Sequence, residues 1–201
     1  DFINLNYSNN NLLGLIGENS SIFYNPNGIL VGSLSNIQRT DGYWAKMIET
    51  DTLFFSGYKT SIDLQYSLSE GANLISFPSD GVYDFDDVFP SSLDGVVISV
   101  LGEGLSAVYD NGEWFGSLIE FEGFKGYWFI SNQAVEFQFD LDEAGALART
   151  VSKPKQYLAG YEYNQSTAQS FYYIKDIPMA QLGDWVIAYS SDGAVVGSRE
   201  W

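Results

Sequence analysis

Two stretches of this chain repeat one another, and that repetition limits its fold more than any other feature. Residues from Ile16 read I-G-E-N-S-S-I-F-Y-N-P-N-G-I-L-V-G-S-L, and residues from Leu101 read L-G-E-G-L-S-A-V-Y-D-N-G-E-W-F-G-S-L. Gly17, Glu18, Tyr24, Gly28, Gly32, Ser33 and Leu34 correspond to Gly102, Glu103, Tyr109, Gly112, Gly116, Ser117 and Leu118. One residue is inserted at the first turn, N-P-N-G against D-N-G, and the match then runs without a gap to Gly42-Tyr43-Trp44 and Gly126-Tyr127-Trp128. A unit of about 85 residues that occurs twice must fold the same way twice. Residues 12–58 and 97–142 are therefore expected to form the same β unit, with Gly32 equivalent to Gly116 and Trp44 to Trp128. A fainter third copy is suggested by Ala188 to Ser198, which repeats the Tyr, turn-Gly and Gly-Ser pattern.

The local patterns are those of strands. Val135, Phe137, Phe139 and Leu141 alternate with Glu136, Gln138, Asp140 and Asp142, the period of two that places successive side chains on opposite faces. Leu64, Tyr66 and Leu68 alternate in the same way, as do Ile119 and Phe121 against Glu120 and Glu122. Gly95 to Val100 and Trp185 to Tyr189 read as strands buried on both faces. Asn27-Gly28, Asp41-Gly42, Asn111-Gly112 and Asp192-Gly193 supply the positive φ that hairpins need. Asp84 to Phe89 reads as one helical turn with acids at its positive end, stopped at Pro90. Ala144 to Thr150 reads as a short helix or a linker, and Val151 to Gln156 as the interdomain boundary. The expectation is an all-β chain of antiparallel sandwich or barrel-like modules in tandem. Residues 1–60 would be a first repeat, incomplete at its N-terminus. Residues 61–146 would be the second, and 147–201 a third, divergent and truncated module, in a chain that reads as an excerpt of something longer.

Composition removes several function classes. There is no Cys and no His, so Ser-His-Asp and Cys-His catalysis, Cys-His zinc sites and disulfides are all absent. The net charge is −17, which repels phosphate backbones and argues against a nucleic-acid partner. No apolar run approaches the length of a membrane span. A cysteine-free, acidic chain fits a bacterial surface or virion protein, and the expected location is extracellular.

Ser67 to Pro78 reads S-L-S-E-G-A-N-L-I-S-F-P, and is followed by the Gly-Glu-Gly, Asn-Gly-x-Trp, Gly-Ser-Leu and Gly-Tyr-Trp elements. This series resembles the tandem "G-W-N-L-I-S-F-P … G-Y-W" β-modules of secreted bacterial surface proteins and of structural proteins of marine, especially cyanobacterial, tailed phages. Ala72 stands where those modules carry Trp. Tyr161 to Tyr173, Gly183 to Ala188 and Val196 to Trp201 look like a further module of the same kind. The resemblance covers nearly the whole chain. It implies a building block with no catalytic motif to transfer, and it leaves open whether the source is a phage or a bacterium.

Three groups of residues are candidates for chemistry. Tyr43, Trp44, Tyr127 and Trp128 could stack on sugar rings; as residues retained in both copies they equally suit the core, where large aromatics bury most area. Asp84, Asp86, Asp87 and Asp94 are the densest acidic cluster, a potential calcium site or a capped, solvated turn. Glu120 with Glu122, and Asp140 with Asp142, would lie roughly 6–7 Å apart, within the range of inverting glycosidases, though a solvated strand face places them equally well. Sequons begin at Asn6, Asn19 and Asn164, as chance allows in a chain rich in Asn and Ser.

The expected function is a non-catalytic structural module of an extracellular or virion assembly, such as a fibre, decoration or surface filament. Its partners would be other copies of itself or other structural proteins, with calcium as the only cofactor considered. The alternative is a carbohydrate-binding or adhesion module, motivated by 5 Trp and 14 Tyr. A glycosidase-type enzyme using paired carboxylates is a third reading.

Overall fold

The computed structural model describes residues 11–52, 58–141, 158–163, 170, 172, 174 and 176–201. The chain divides into two compact units, Asp1–Val151 and Ser152–Trp201. It is all-β, built of antiparallel sheets in a sandwich-like arrangement. Among the described residues no helix is long and apolar enough to cross a membrane.

The larger unit contains the two repeats. Strands β1 (Leu12–Ile16), β2 (Ser21–Tyr24), β3 (Leu30–Gly32) and β4 (Trp44–Met47) form a sheet in the order β3-β2-β1-β4. The second repeat begins with β5 (Tyr66–Leu68), β6 (Gly71–Ser76), β7 (Val82–Asp84) and the single turn α1 (Phe85–Val88). It continues through β8 (Val97–Leu101), β9 (Ser106–Asp110) and β10 (Glu113–Gly116). It ends with β11 (Glu120–Glu122), β12 (Gly126–Ser131) and β13 (Val135–Phe137). Its main sheet runs β10-β9-β8-β12-β6, so β8, β9, β10 and β12 repeat the order of β1, β2, β3 and β4, and β6 is added at the edge.

The equivalence holds residue by residue. Ile16 pairs with Trp44 as Leu101 pairs with Trp128. Ile22 pairs with Gly32 as Ala107 pairs with Gly116. Each repeat has a register shift at the same place, between Leu12 and Gly14 and between Ile130 and Ser131. The one-residue difference falls in the first hairpin. There Asn25 closes a loop with Ile29, the Asn25 side chain accepting the N–H groups of Asn27 and Ile29. The second hairpin is a two-residue turn with Asn111 at φ 52° and Gly112 at φ 93°, the primed-turn geometry that Asn-Gly favours.

The Gly-Ser-Leu motif fastens the hairpin. The Ser106 carbonyl accepts the N–H groups of Ser117 (2.7 Å) and Leu118 (2.9 Å), and the Ser117 hydroxyl accepts the Ser106 N–H. The Ser21 carbonyl receives Ser33 and Leu34 in the same way. This crossing requires glycine. Gly32 and Gly116 have φ of 153° and 145°, and a Cβ on either would lie 2.0 or 2.1 Å from that serine carbonyl.

The core belongs to the second repeat. One face of its five-stranded sheet (Val97, Val100, Ala107, Tyr127 and Phe129) packs against β5, β7, β11, β13, α1 and the turn after it. Phe121 lies at the centre: it stacks on Phe77 and Phe85 and meets Tyr127 and Phe139 edge-on, arrangements that aromatic quadrupoles favour. In the first repeat Ala45 takes the place of Phe129 and is exposed, and Tyr24 and Leu30 of its inner face stay about two-fifths exposed.

Several expectations are corrected. Gly95 to Val100 is not buried on both faces, because Ile98 falls at the register shift and is 41% exposed. Ile119 is exposed while Phe121 is fully buried; it precedes β11, and its carbonyl accepts the Phe85 N–H. Along Val135 to Leu141 burial alternates as expected, but pairing stops at Phe137, after which the Asp140 N–H bonds the Val88 carbonyl. Gly42 has no positive φ. Ala144 to Thr150 and Val151 to Gln156 lie outside the described residues.

In the smaller unit, β14 (Trp185–Tyr189) and β15 (Val195–Glu200) form a two-stranded ribbon. Its described residues include none that is buried, so β14 is not a strand covered on both faces; the described residues of this unit supply no second layer beside the ribbon. Ala188 faces Gly197, like Ala107 and Gly116, but Gly197 lacks the positive φ and the carbonyl crowding of the two G-S-L glycines.

Two outcomes are expected. Gly112→Ala, at a positive φ in open space, should cost about 1–2 kcal/mol. Gly116→Ala, which meets the Ser106 carbonyl as well, should lower the urea midpoint clearly further. Burial raises the hydroxyl pKa of Tyr66 to about 12 and pushes Tyr127 up as well. Both phenols hold their protons in the fold at a pH where the unfolded chain releases them. Stability should therefore be unaffected by these groups below pH ~10 and fall as the pH rises toward ~12, which urea titrations across that range would show.

Candidate functional site: the junction of the two repeats

The two repeats meet at β6. One edge of this strand pairs with β12 along its whole length, Gly71 opposite Ser131 and Ser76 opposite Gly126. The other edge belongs to the first repeat. The Gly42 N–H donates to the Leu74 carbonyl, and the Ser76 N–H donates to the Thr40 carbonyl, both at 2.9 Å. The Ser76 hydroxyl donates to the Arg39 carbonyl. The Leu74 N–H donates to the Glu18 carboxylate at 3.1 Å, a charge-assisted bond of the class worth roughly 1.5–3 kcal/mol. Asp41 and Ile75 complete an antiparallel bridge.

Strand β6 fits there because β1 ends early. Trp44 pairs with Ile16, the last residue of β1. The chain then turns, with the Gly17 N–H bonded to the Ser20 carbonyl. Two residues before Trp44, Gly42 would face an empty lane, and β6 occupies it. The two Gly-Tyr-Trp glycines make the approach close enough. A Cβ on Gly42 would stand 2.8 Å from the Ile75 carbonyl and 3.0 Å from the Leu74 side chain. A Cβ on Gly126 would stand 3.2 Å from the Gly42 Cα.

The neighbouring tyrosines brace each turn. The Tyr43 hydroxyl accepts the Gln38 N–H at 3.0 Å, and the Tyr127 hydroxyl accepts the Glu122 N–H at 2.8 Å. Their rings lie against Gly17 and Gly102, where a Cβ would come within 3.1 and 3.2 Å. Burial raises the pKa of Tyr43, as it does that of Tyr127. Both hydroxyls are thus engaged by backbone and both rings by glycine, on the side of the strand opposite Trp44 and Trp128. The tryptophans are half-buried, and Trp128 pairs across strands with Leu101 and Leu74. The four residues do not form a shared aromatic platform.

The carboxylates do not converge. Asp84 ends β7 opposite Glu120, Asp86 and Asp87 sit on α1, and Asp94 accepts the Trp114 indole N–H at 2.9 Å. Among the described residues no group of three or more carboxylates is placed to hold a metal ion. Glu120 and Glu122 are both half-exposed on β11; Asp142 lies outside the described residues, as do Asn6 and Asn164. Beside α1 is a shallow depression of about 90 Å³, lined in part by Trp114, Phe115, Gly116 and Ile119. Sequence reasoning missed the junction. Its signal was the recurrence of Gly17-Glu18 and Gly42 in both copies.

Comparison with protein-family models, with curated proteins and with solved structures gives no match.

Gly42→Val should open the junction while leaving the second repeat folded. In hydrogen-exchange measurements the amides of Leu74 and Ser76, bonded to the first repeat, should exchange at least tenfold faster. The Phe77 amide, bonded to the Lys125 carbonyl, should stay protected.

Proposed function

We propose that this chain is a non-catalytic structural link of an extracellular or virion assembly, in which repeat units are joined in series. The observation that supports the reading is the shared strand: β6 is hydrogen-bonded along one edge to its own repeat and along the other to the preceding one. Units joined by backbone bonds and a carboxylate resist relative motion, unlike units on a loose tether. The residues that make the joint, Gly-Glu and Gly-Tyr-Trp, are present in both copies, as a repeating series requires. The resemblance to tandem modules of bacterial surface and tailed-phage structural proteins points the same way. Under this reading residues 147–201 are a third, divergent module, and the partners are copies of the chain or other structural proteins. The acidic surface, with net charge −17, would keep such a series soluble.

Immunogold labelling with antibodies against this chain, applied to intact particles and cells of its source, tests the reading. Label spaced along fibres, virions or surface filaments is the expected result. Label confined to the cell interior would overturn it.

A further inference from the structure

The second repeat offers a lane equivalent to the one that β6 fills in the first. Gly126 precedes Trp128 by two residues as Gly42 precedes Trp44, and Trp128 pairs with Leu101, the last residue of β8, as Trp44 pairs with Ile16. Beyond Leu101 the chain turns through Gly102 and Glu103, the Gly102 N–H bonding the Leu105 carbonyl just as Gly17 bonds Ser20. Glu103 is the counterpart of Glu18. Among the described residues no strand takes the place of β6 beside Gly126 on this side, and Glu103 meets only Lys125, at 3.4 Å, with about half of each side chain exposed. Lys125 is exposed and Gly126 half-buried, whereas Gly42 beside β6 is buried.

We infer that the edge formed by Gly126 and Glu103, beyond the end of β8, is a docking site for an extended strand with the chemistry of β6, presented by a further repeat unit. This rests on the reading of the chain as a serial link. The first repeat specifies the occupant. It must run antiparallel to the Gly126 segment and offer a carbonyl to the Gly126 N–H. It must also offer an N–H to the Glu103 carboxylate, as Leu74 does to Glu18. Against the glycine it must set a carbonyl and an apolar side chain, as Ile75 and Leu74 do at Gly42. Addition of a strand to an exposed edge takes its affinity from main-chain bonds and its specificity from alternate side chains. Lys125 competes for Glu103 through a solvent-exposed ion pair, a contact weak enough to exchange.

The test uses the full chain and a fluorescent peptide of Ser69–Pro78 sequence, at physiological ionic strength. Anisotropy should report saturable binding, and hydrogen exchange should show new protection of the Gly126 amide. Glu103→Gln should weaken binding at least fivefold. Glu113→Gln, exposed on β10 at the opposite edge of the sheet from β6, should leave it unchanged. Absence of binding at millimolar peptide would overturn the inference, and so would binding insensitive to Glu103→Gln. So would loss of Leu74 and Ser76 amide protection on binding, because the peptide would then be replacing β6. A negative result leaves the labelling outcome untouched, so the docking site and the serial-link reading fail separately.

Discussion

Backbone hydrogen bonding along both edges of β6 is the constraint on which the larger unit depends. A strand at the edge of a sheet exposes N–H and C=O groups that must find partners or water. Here β12 satisfies one row and the first repeat satisfies the other at Leu74 and Ser76. At the joint the Leu74 side chain is buried and lies against Gly42. The joint needs an early end to β1, a carboxylate at Glu18 and two glycines that let backbones meet.

The same strand order is thus used in two settings. In the second repeat the sheet is covered by aromatic side chains, with Phe121 and Phe129 fully buried. In the first, Ala45 replaces Phe129 and the hairpin keeps its form through local bonding at Ser21, Ser33 and Leu34. Most retained residues fix backbone geometry; Tyr127 and Leu118 of the core keep their counterparts in Tyr43 and Leu34, while others such as Phe129 do not. Turn and crossing chemistry therefore specifies the strand order in both copies, and packing specifies how deeply each sheet is buried.

Much of the fold was legible in the sequence because its signals are local. Asn111-Gly112 marks a primed turn, and the alternation of Val135, Phe137, Phe139 and Leu141 tracks burial even where pairing stops. Asp84 to Phe89 folds as one turn ahead of Pro90. The misreadings arose where tertiary context decides. Ile98 looks like a core residue but sits at a register shift, and Gly42 looks like a turn glycine but serves a close approach 33 residues away in sequence, at Ile75. The acids from Asp84 to Asp94 are neighbours in sequence, but among the described residues they do not gather into a metal-holding group. The joint itself gave no periodic signal, since most of its partners are main-chain atoms.

The contact between Gly42 and Gly126 has an evolutionary corollary. Most interfaces can drift, because a side chain that shrinks on one face can be answered by one that grows on the other. Two glycines have no such latitude. Nothing smaller is available, so each position admits changes in one direction, and every change separates the backbones. A lineage that needed a looser or tighter connection would have to alter Glu18 or the strand it receives, leaving the glycines as fixed points around which the rest of the repeat can diverge.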